Sequence, residues 1–164
     1  MLTDIGEYII GAHLEVVEKC NFVSYNVRPP GGGMQGLAEL DVIGLNFHTK
    51  TAFLVEVTTH IRGLLYGNNE NTINRIREKF ERQKQYAEEH LKHFRNHHYM
   101  FWSPYVPVGY LTEHLSEIDD LELIINGEYK KRVDELKKIA TECAHATNNP
   151  FFRMLQIMEH MNER

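Results

Sequence analysis

The feature that most constrains this chain is a pair of short apolar segments, each interrupted by a carboxylate. Segments 37–45 and 52–57 are rich in β-forming residues and flank a polar turn at 48–50, so they predict two strands joined by a hairpin. Asp41 lies in the first segment and Glu56 near the end of the second, where a buried strand ordinarily carries apolar residues. Because burying an unpaired carboxylate is costly, the pattern indicates a metal ion or another cation between the two strands.

Several short motifs accompany the two carboxylates between about residues 5 and 95. They are Gly6-Glu7, Ala12-His13-Leu14, Asn26-Val27-Arg28, Gly31-Gly32-Gly33, Glu39-Leu40-Asp41, Glu56-Val57-Thr58 and Tyr66-Gly67. Together with the hairpin, they resemble the PD-(D/E)XK nuclease superfamily, and within it the small Holliday-junction-resolvase-like branch. The resemblance implies a restriction-endonuclease-like core and a metal-dependent nuclease. One position departs from the family pattern, because Thr58 stands where the family has lysine.

The resemblance also implies roles for particular residues. Asp41 and Glu56 would bind Mg²⁺, with Mn²⁺ as a substitute, and the backbone carbonyl of Val57 would complete the protein ligands. Glu7 and Gln83 match positions where the family places an acid on its first helix and a glutamine on a later helix. Since Mg²⁺ keeps several waters and accepts phosphate oxygens, this site would suit the hydrolysis of a phosphodiester.

The missing lysine would leave the site short of one positive charge. Thr58 has a hydroxyl group but no charge, so it supplies only part of what a lysine does there. Lys50 is no substitute, because it lies about 20 Å from Glu56 along an extended strand. Lys79 is one helical turn from Gln83, about 6 Å along the helix axis, and its side chain is long enough to reach the carboxylates. We therefore expect Lys79 to supply the charge.

Two of the implied site residues also have simpler explanations. Asp4 and Glu7 are spaced as in a capping box at the start of a helix predicted over 4–18, so Glu7 is equally explained as part of a helix cap. Gln83 falls in the apolar stripe of a helix predicted over 72–95, and a buried glutamine needs hydrogen-bond partners. A backbone carbonyl satisfies it as well as the acidic site does. The sequence leaves both alternatives open.

The same long helix carries a strongly basic patch in an acidic chain, whose net charge is −5. Its first half contains five cations: Arg75, Arg77, Lys79, Arg82 and Lys84. A charge-rich helix face is ordinarily solvated and held by i,i+4 pairs, but this one flanks the predicted site. We expect Arg75 and Arg82, together with Arg28 from the first strand, to contact DNA.

Length and composition indicate one globular domain of the cytoplasm. The 164 residues are 42% hydrophobic and 25% charged, which fits a core over about 5–125 with a helical extension over about 128–164. The sequence shows no apolar run of membrane-spanning length and no signal peptide, and Cys20 and Cys143 form no CxxC pair. A stripe rich in Met and Phe in the last predicted helix is typical of a core, and a homodimer contact is the alternative.

The order of the remaining elements predicts an α/β fold. Hairpin strands come first and strands crossed by helices come later, which predicts a central mixed sheet of about five strands with helices on both faces. Three function classes stay open: a metal-dependent DNA endonuclease, a degenerate relative that binds nucleic acid or a protein without cleaving, and a scaffold without nucleic acid. The acidic net charge favours the last class, whereas the two carboxylates and Gln83 favour the first.

Overall fold

The structure, a computed structural model, describes residues 2–29, 39–63 and 66–162. Within these ranges the helices are α1 (Ile5–Val16), α2 (Asn69–His90), α3 (Tyr110–Ser116), α4 (Gly127–Glu142) and α5 (Pro150–Asn162). The strands are β1 (Phe22–Val27), β2 (Leu40–Asn46), β3 (Thr51–Val57), β4 (Asn96–Ser103) and β5 (Leu121–Ile125). The predicted α/β layout with additional C-terminal helices is confirmed. The glycine-rich motif at 31–33 lies outside the described residues.

The five strands form one mixed sheet in the order β1-β2-β3-β4-β5. The first three strands are antiparallel neighbours, whereas β4 and β5 continue the sheet in parallel. The pairing changes at β3 because a tight turn joins it to β2, while α2 crosses over between β3 and β4. Asn46 stabilises that turn, since its Oδ1 accepts the N–H groups of His48 and Thr49, each at 3.0 Å. The central strand β3 is buried over all but its last residue.

Helices cover both faces of the sheet, as predicted. Val42 of β2 packs with Ile10 of α1 on one face. Its neighbour Ile43 points to the opposite face and packs with Ala87 of α2. Helix α4 joins the first face and α3 the second. Adjacent residues of one strand therefore serve two separate cores, as the strand period of two requires.

Helix α5 lies outside this three-layer arrangement, against α1 and α4, where Phe152 is buried. The residue before it, Asn149, is only 3% exposed and links it to α1. The Asn149 side-chain amide donates to the carbonyl of Tyr8 at 2.8 Å, while its Oδ1 accepts the N–H of Phe152 at 3.0 Å. The tail is thus bonded to the first helix of the chain.

The stripe predicted in the last helix divides into two faces. Phe151 and Leu155 are buried, whereas Met154, Met158 and Met161 are 48%, 54% and 70% exposed. The core explanation therefore holds for only part of the stripe, and the homodimer stays a prediction. Among the helices described, none combines the length and the apolar character needed to cross a membrane.

The boundaries of some elements differ from the prediction. Helix α2 begins at Asn69 and ends at His90, whereas the apolar stripe predicted 72–95. It starts earlier because Asn68 is its cap, with Oδ1 accepting the N–H of Asn71 at 2.8 Å. Helix α1 spans Ile5–Val16 and is therefore shorter than the predicted 4–18.

Candidate functional site

The hairpin β2–β3 brings the two carboxylates face to face. Val42 pairs with Val55 in antiparallel register, and the same register one step further places Asp41 opposite Glu56. Residues directly opposite in a sheet point to the same face, so both carboxylates lie on the side covered by α2. Asp41 is also fixed in place, because its Oδ2 accepts the N–H of Val57 at 2.8 Å.

Helix α2 supplies the cation that the sequence predicts. The Nζ of Lys79 lies 2.5 Å from Glu56 Oε2 and 3.9 Å from Asp41 Oδ2. One ammonium group therefore lies within ion-pair distance of both carboxylates. The side chain of Lys79 is 23% exposed, whereas that of Glu56 is only 4% exposed. Solvent therefore reaches the cluster from the side of Lys79, whereas Glu56 is shielded from it.

The pKa values of both Glu56 and Lys79 are raised, which favours the neutral form of Glu56 and the charged form of Lys79. Burial and the neighbouring Asp41 raise the pKa of Glu56 to about 8, although Lys79 opposes the shift. Burial alone would lower the pKa of Lys79, but the attraction of Glu56 and Asp41 outweighs it and raises that pKa. Lys79 therefore stays charged at neutral pH. Its single positive charge does not fully offset the cost of burying an ionised Glu56 beside Asp41.

A cavity of about 210 Å³ opens beside the cluster. Its walls come from the N-terminus of α1, the ends of β2 and β3, the segment after β3 and the middle of α2. The lining residues are Asp4, Glu7, Asp41, Val57, Thr58, Thr59, His60, Tyr66 and Lys79. Carboxylates outnumber the single ammonium on these walls. The cavity therefore attracts cations, and it repels a free phosphate unless further positive charge enters with it.

Glycine at position 6 allows α1 to approach the end of β3. A Cβ atom on Gly6 would lie 2.3 Å from Thr59 Cγ2 and 3.0 Å from Val57 Cγ1, which is closer than carbon atoms pack. The glycine therefore sets the distance between the first turn of α1 and the cavity, and Glu7 follows it in that turn.

Glu7 makes the predicted helix cap, and it also lies at the cavity, so its role in the site stays a prediction. Its Oε2 accepts the N–H of Asp4 at 3.1 Å, and Asp4 is the N-cap of α1 in a complete capping box. The same oxygen accepts the side-chain amide of Asn26 at 2.9 Å, and Glu7 also lines the cavity. Burial raises the pKa of Glu7 against these hydrogen bonds. Asn26 was not predicted as a site residue, although its position at the end of β1 with a φ of 51° marks an unusual backbone.

Gln83 is fully buried, as its place in the apolar stripe predicts. The expected contact with Glu56 is wrong, however, because the Gln83 amide donates to the backbone carbonyl of Met100 on β4 at 3.2 Å. Its Oε1 is buried and has no hydrogen-bond partner within the described residues. The backbone-carbonyl alternative therefore describes the contact that Gln83 makes.

Thr58 is engaged away from the two carboxylates. Its hydroxyl donates to Ser103 Oγ at 3.1 Å, and its N–H donates to the carbonyl of Trp102 at 2.9 Å. Thr58 lines the cavity but is only 7% exposed. Thr58 thus joins the end of β3 to β4. The positive charge near the two carboxylates comes from Lys79 instead.

The three arginines expected to contact DNA have different surroundings. Arg28 lies 3.8 Å from Glu39, and Arg82 lies 4.0 Å from Glu78. Arg75 instead lies over an aromatic ring, with its Cζ 4.5 Å from the centre of the Tyr66 ring.

The donor set suits Mg²⁺ better than a transition metal. No group of three or more His, Cys, Asp or Glu side chains is placed to hold a metal ion among the residues described. Mg²⁺ does not need such a group, since it binds through one or two carboxylates and keeps most of its waters. Asp41 and Glu56 provide those carboxylates, and burial, with Asp41 beside it, raises the pKa of Glu56 because its ionised form has too little positive charge around it.

Comparison of the chain with protein-family models, with curated proteins and with solved structures found no match. Membership of the PD-(D/E)XK superfamily therefore stays a prediction, based on the motifs quoted above.

Proposed function

We propose that this protein is a Mg²⁺-dependent nuclease that hydrolyses phosphodiester bonds in DNA at the cluster of Asp41, Glu56 and Lys79. The observation that carries the proposal is the position of Lys79. Its ammonium lies at the carboxylate pair, although it comes from helix α2 and not from the motif position at Thr58. The charge that the motif lacks is thereby supplied from a second element.

Each residue of the cluster has a distinct task in this proposal. Asp41 and Glu56 would hold Mg²⁺, with Mn²⁺ as a substitute, and the carbonyl of Val57 is the third protein ligand implied by the family. When bound, the metal would polarise the phosphate and lower the pKa of a coordinated water. Lys79 stays protonated at neutral pH and would donate to the phosphate oxygens as negative charge develops on them.

Glu7 completes the proposal on the opposite wall of the cavity. Its carboxylate is fixed by the N–H of Asp4 and the amide of Asn26, and burial raises its pKa above the ordinary value. A carboxylate with a raised pKa accepts a proton more readily at neutral pH, so Glu7 would take the proton of the attacking water. Gln83 would act only indirectly, by holding α2 against β4 through Met100.

A second candidate function is DNA binding without cleavage. The bond between Thr58 and Ser103 favours it, because a residue at the motif position serves to join two strands. In that case the ammonium of Lys79 would neutralise Glu56 in place of a metal ion, and no metal would bind.

Cleavage assays separate the two candidates. A fluorescent four-way junction, a flap and a single strand are incubated in Mg²⁺ and in Mn²⁺ with the wild type, Asp41→Asn and Lys79→Met. The nuclease predicts cleavage by the wild type and a loss of about 10²- to 10³-fold in rate for either variant. Arg77→Met, on an exposed part of α2, is the matched control for loss of a positive charge. Absence of any cleavage that depends on Asp41 would overturn the proposal and leave the binding function.

A further inference from the structure

The face of α2 that carries Lys79 into the site also carries Arg75 and Arg82. Residues 75, 79 and 82 are spaced i, i+4 and i+7, so they lie along one side of the helix. Arg82 is within reach of an acidic partner, Glu78, at 4.0 Å. Among the described residues, no carboxylate lies within ion-pair distance of Arg75. Arg75 is thus the cation of this face whose charge is available to a ligand.

The side chain of Arg75 rests over the ring of Tyr66. The Arg75 Cζ lies 4.5 Å from the centre of the Tyr66 ring, which is a cation–π contact. Tyr66 is itself fixed, because its N–H donates to Thr72 Oγ1 at 2.8 Å and its ring packs against the core cluster that contains Ile76. A guanidinium held against a fixed ring loses less freedom when it binds a ligand than a free one does, and Arg75 is exposed to solvent, so its donors are accessible to a ligand.

Tyr66 also lines the cavity of the site, so Arg75, which contacts the Tyr66 ring, lies next to the cavity without forming part of its wall. Arg75 precedes Lys79 by one helical turn, a rise of about 6 Å. The edge of a guanidinium matches the geometry of a phosphate group, which it binds through two parallel hydrogen bonds. The carboxylate walls repel phosphate, so a strand that enters the cavity needs a positive contact of this kind at its edge.

We infer that Arg75, stacked on Tyr66, binds a backbone phosphate adjacent to the one that reaches Lys79, and that Tyr66 positions Arg75 for this contact. The inference rests on the proposed nuclease function for the identity of the ligand, a DNA strand. It assigns the phosphate contact to Arg75 rather than to Arg28 and Arg82, whose charges have acidic partners.

The test measures DNA affinity as a function of salt concentration. Fluorescence anisotropy of a labelled single strand and of the matching duplex is recorded in Ca²⁺, and the same samples are checked for cleavage. Arg75→Ala should weaken binding and lower the slope of log K against log salt by about 0.7 for the single strand or about 0.9 for the duplex, the value for one phosphate. Arg77→Ala removes the same charge from a different side of α2, and it should leave the slope within error of the wild type.

The positioning role of Tyr66 has its own readout. Tyr66→Leu should weaken binding by about 2- to 5-fold, the range expected for one exposed cation–π contact. In the Arg75→Ala background the same change should have no further effect, and Arg75→Lys should fail to restore the wild-type affinity because an ammonium lacks the planar fork. Equal effects of Arg75→Ala and Arg77→Ala would overturn the inference. An undiminished effect of Tyr66→Leu in the Arg75→Ala background would overturn it too.

These outcomes are separable from the fate of the proposed function. A wild type that binds DNA through Arg75 but never cleaves it would refute the nuclease and keep the phosphate contact. An Arg75→Ala variant that cleaves DNA normally, with KM and salt slope unchanged from the wild type, would refute the contact and keep the nuclease.

Discussion

Replacing Lys79 by methionine is expected to strengthen metal binding while it weakens catalysis. The Lys79 ammonium lies 2.5 Å from Glu56 and 3.9 Å from Asp41, where it contacts both of the proposed metal ligands. A divalent ion must therefore displace this ammonium before it can bind the pair. Methionine keeps much of the length of the side chain and removes the competing charge.

The size of the effect follows from the contact that metal binding breaks. A hydrogen bond to a charged group contributes about 1.5–3 kcal/mol. If the wild type loses that contact on binding Mg²⁺ and the variant has none to lose, the variant gains about 10- to 150-fold in affinity. The gain should be larger at pH 8.5 than at lower pH, because the pKa of Glu56 in the wild type is raised to about 8 by burial and Asp41, and below it a proton competes with the metal. The gain should shrink at pH 6.5, where a proton on Glu56 competes with the metal. The variant holds this proton more tightly than the wild type does, because it lacks the Lys79 ammonium that lowers the pKa of Glu56.

Isothermal titration with Mg²⁺ at the two pH values measures this affinity for the wild type, Lys79→Met and the control Lys84→Met. Lys84 lies on the same helix, but its ammonium lies over the ring of Phe80 and away from the carboxylates. The expected result is tighter binding by Lys79→Met alone, accompanied by a loss of about 10²- to 10³-fold in cleavage rate. Equal or weaker Mg²⁺ binding by Lys79→Met at pH 8.5 would refute the reasoning.

Three further changes test other parts of the site. Because the pKa of Glu56 is raised from 4.5 to about 8, the folded state binds its proton more tightly than the unfolded state does, so stability falls as pH rises through that window by up to about 1.4 kcal/mol per pH unit. Glu56→Gln should flatten this dependence in urea unfolding between pH 5 and pH 8, and parallel curves would contradict it. Gly6→Ala should cost about 1–3 kcal/mol by overpacking against Thr59, and calorimetry should show partial recovery with Thr59→Ser, which lacks the Cγ2 methyl. Thr58→Lys in the Lys79→Met background should restore part of the cleavage activity, whereas a double variant as inactive as Lys79→Met would count against a shared role for the two positions.

The hairpin and its carboxylates could be predicted because local rules determine them. Two runs of β-forming residues on either side of a polar turn predict β2 and β3, and the antiparallel register then places Asp41 opposite Glu56. Lys79 could be predicted for a similar reason, since the rise of a helix is constant and Gln83 marks the buried face of α2. The fold class followed from the order of the strands and helices.

The partners of Gln83 and Thr58 could not be predicted, because they depend on contacts between distant parts of the chain. A buried amide bonds to whichever carbonyl packing places within reach, and for Gln83 that carbonyl belongs to Met100 on β4. Thr58 meets Ser103 only because β3 and β4 pair in one particular parallel register. Gly6 did offer a signal that sequence reasoning overlooked: a glycine in the first turn of a helix is unfavourable by itself, so it indicates a close approach.

The hydrogen bonds of Asn149 allow helix α5 to stabilise the position of helix α1. Asn149 ties the carbonyl of Tyr8, the residue after Glu7, to the start of α5. A chain shortened before Asn149 would keep Asp41, Glu56 and Lys79. It would lose the hydrogen bond to Tyr8 that holds α1, the helix that carries Glu7. Helix α5 therefore restrains the position of α1, and through α1 the position of Glu7 at the cavity.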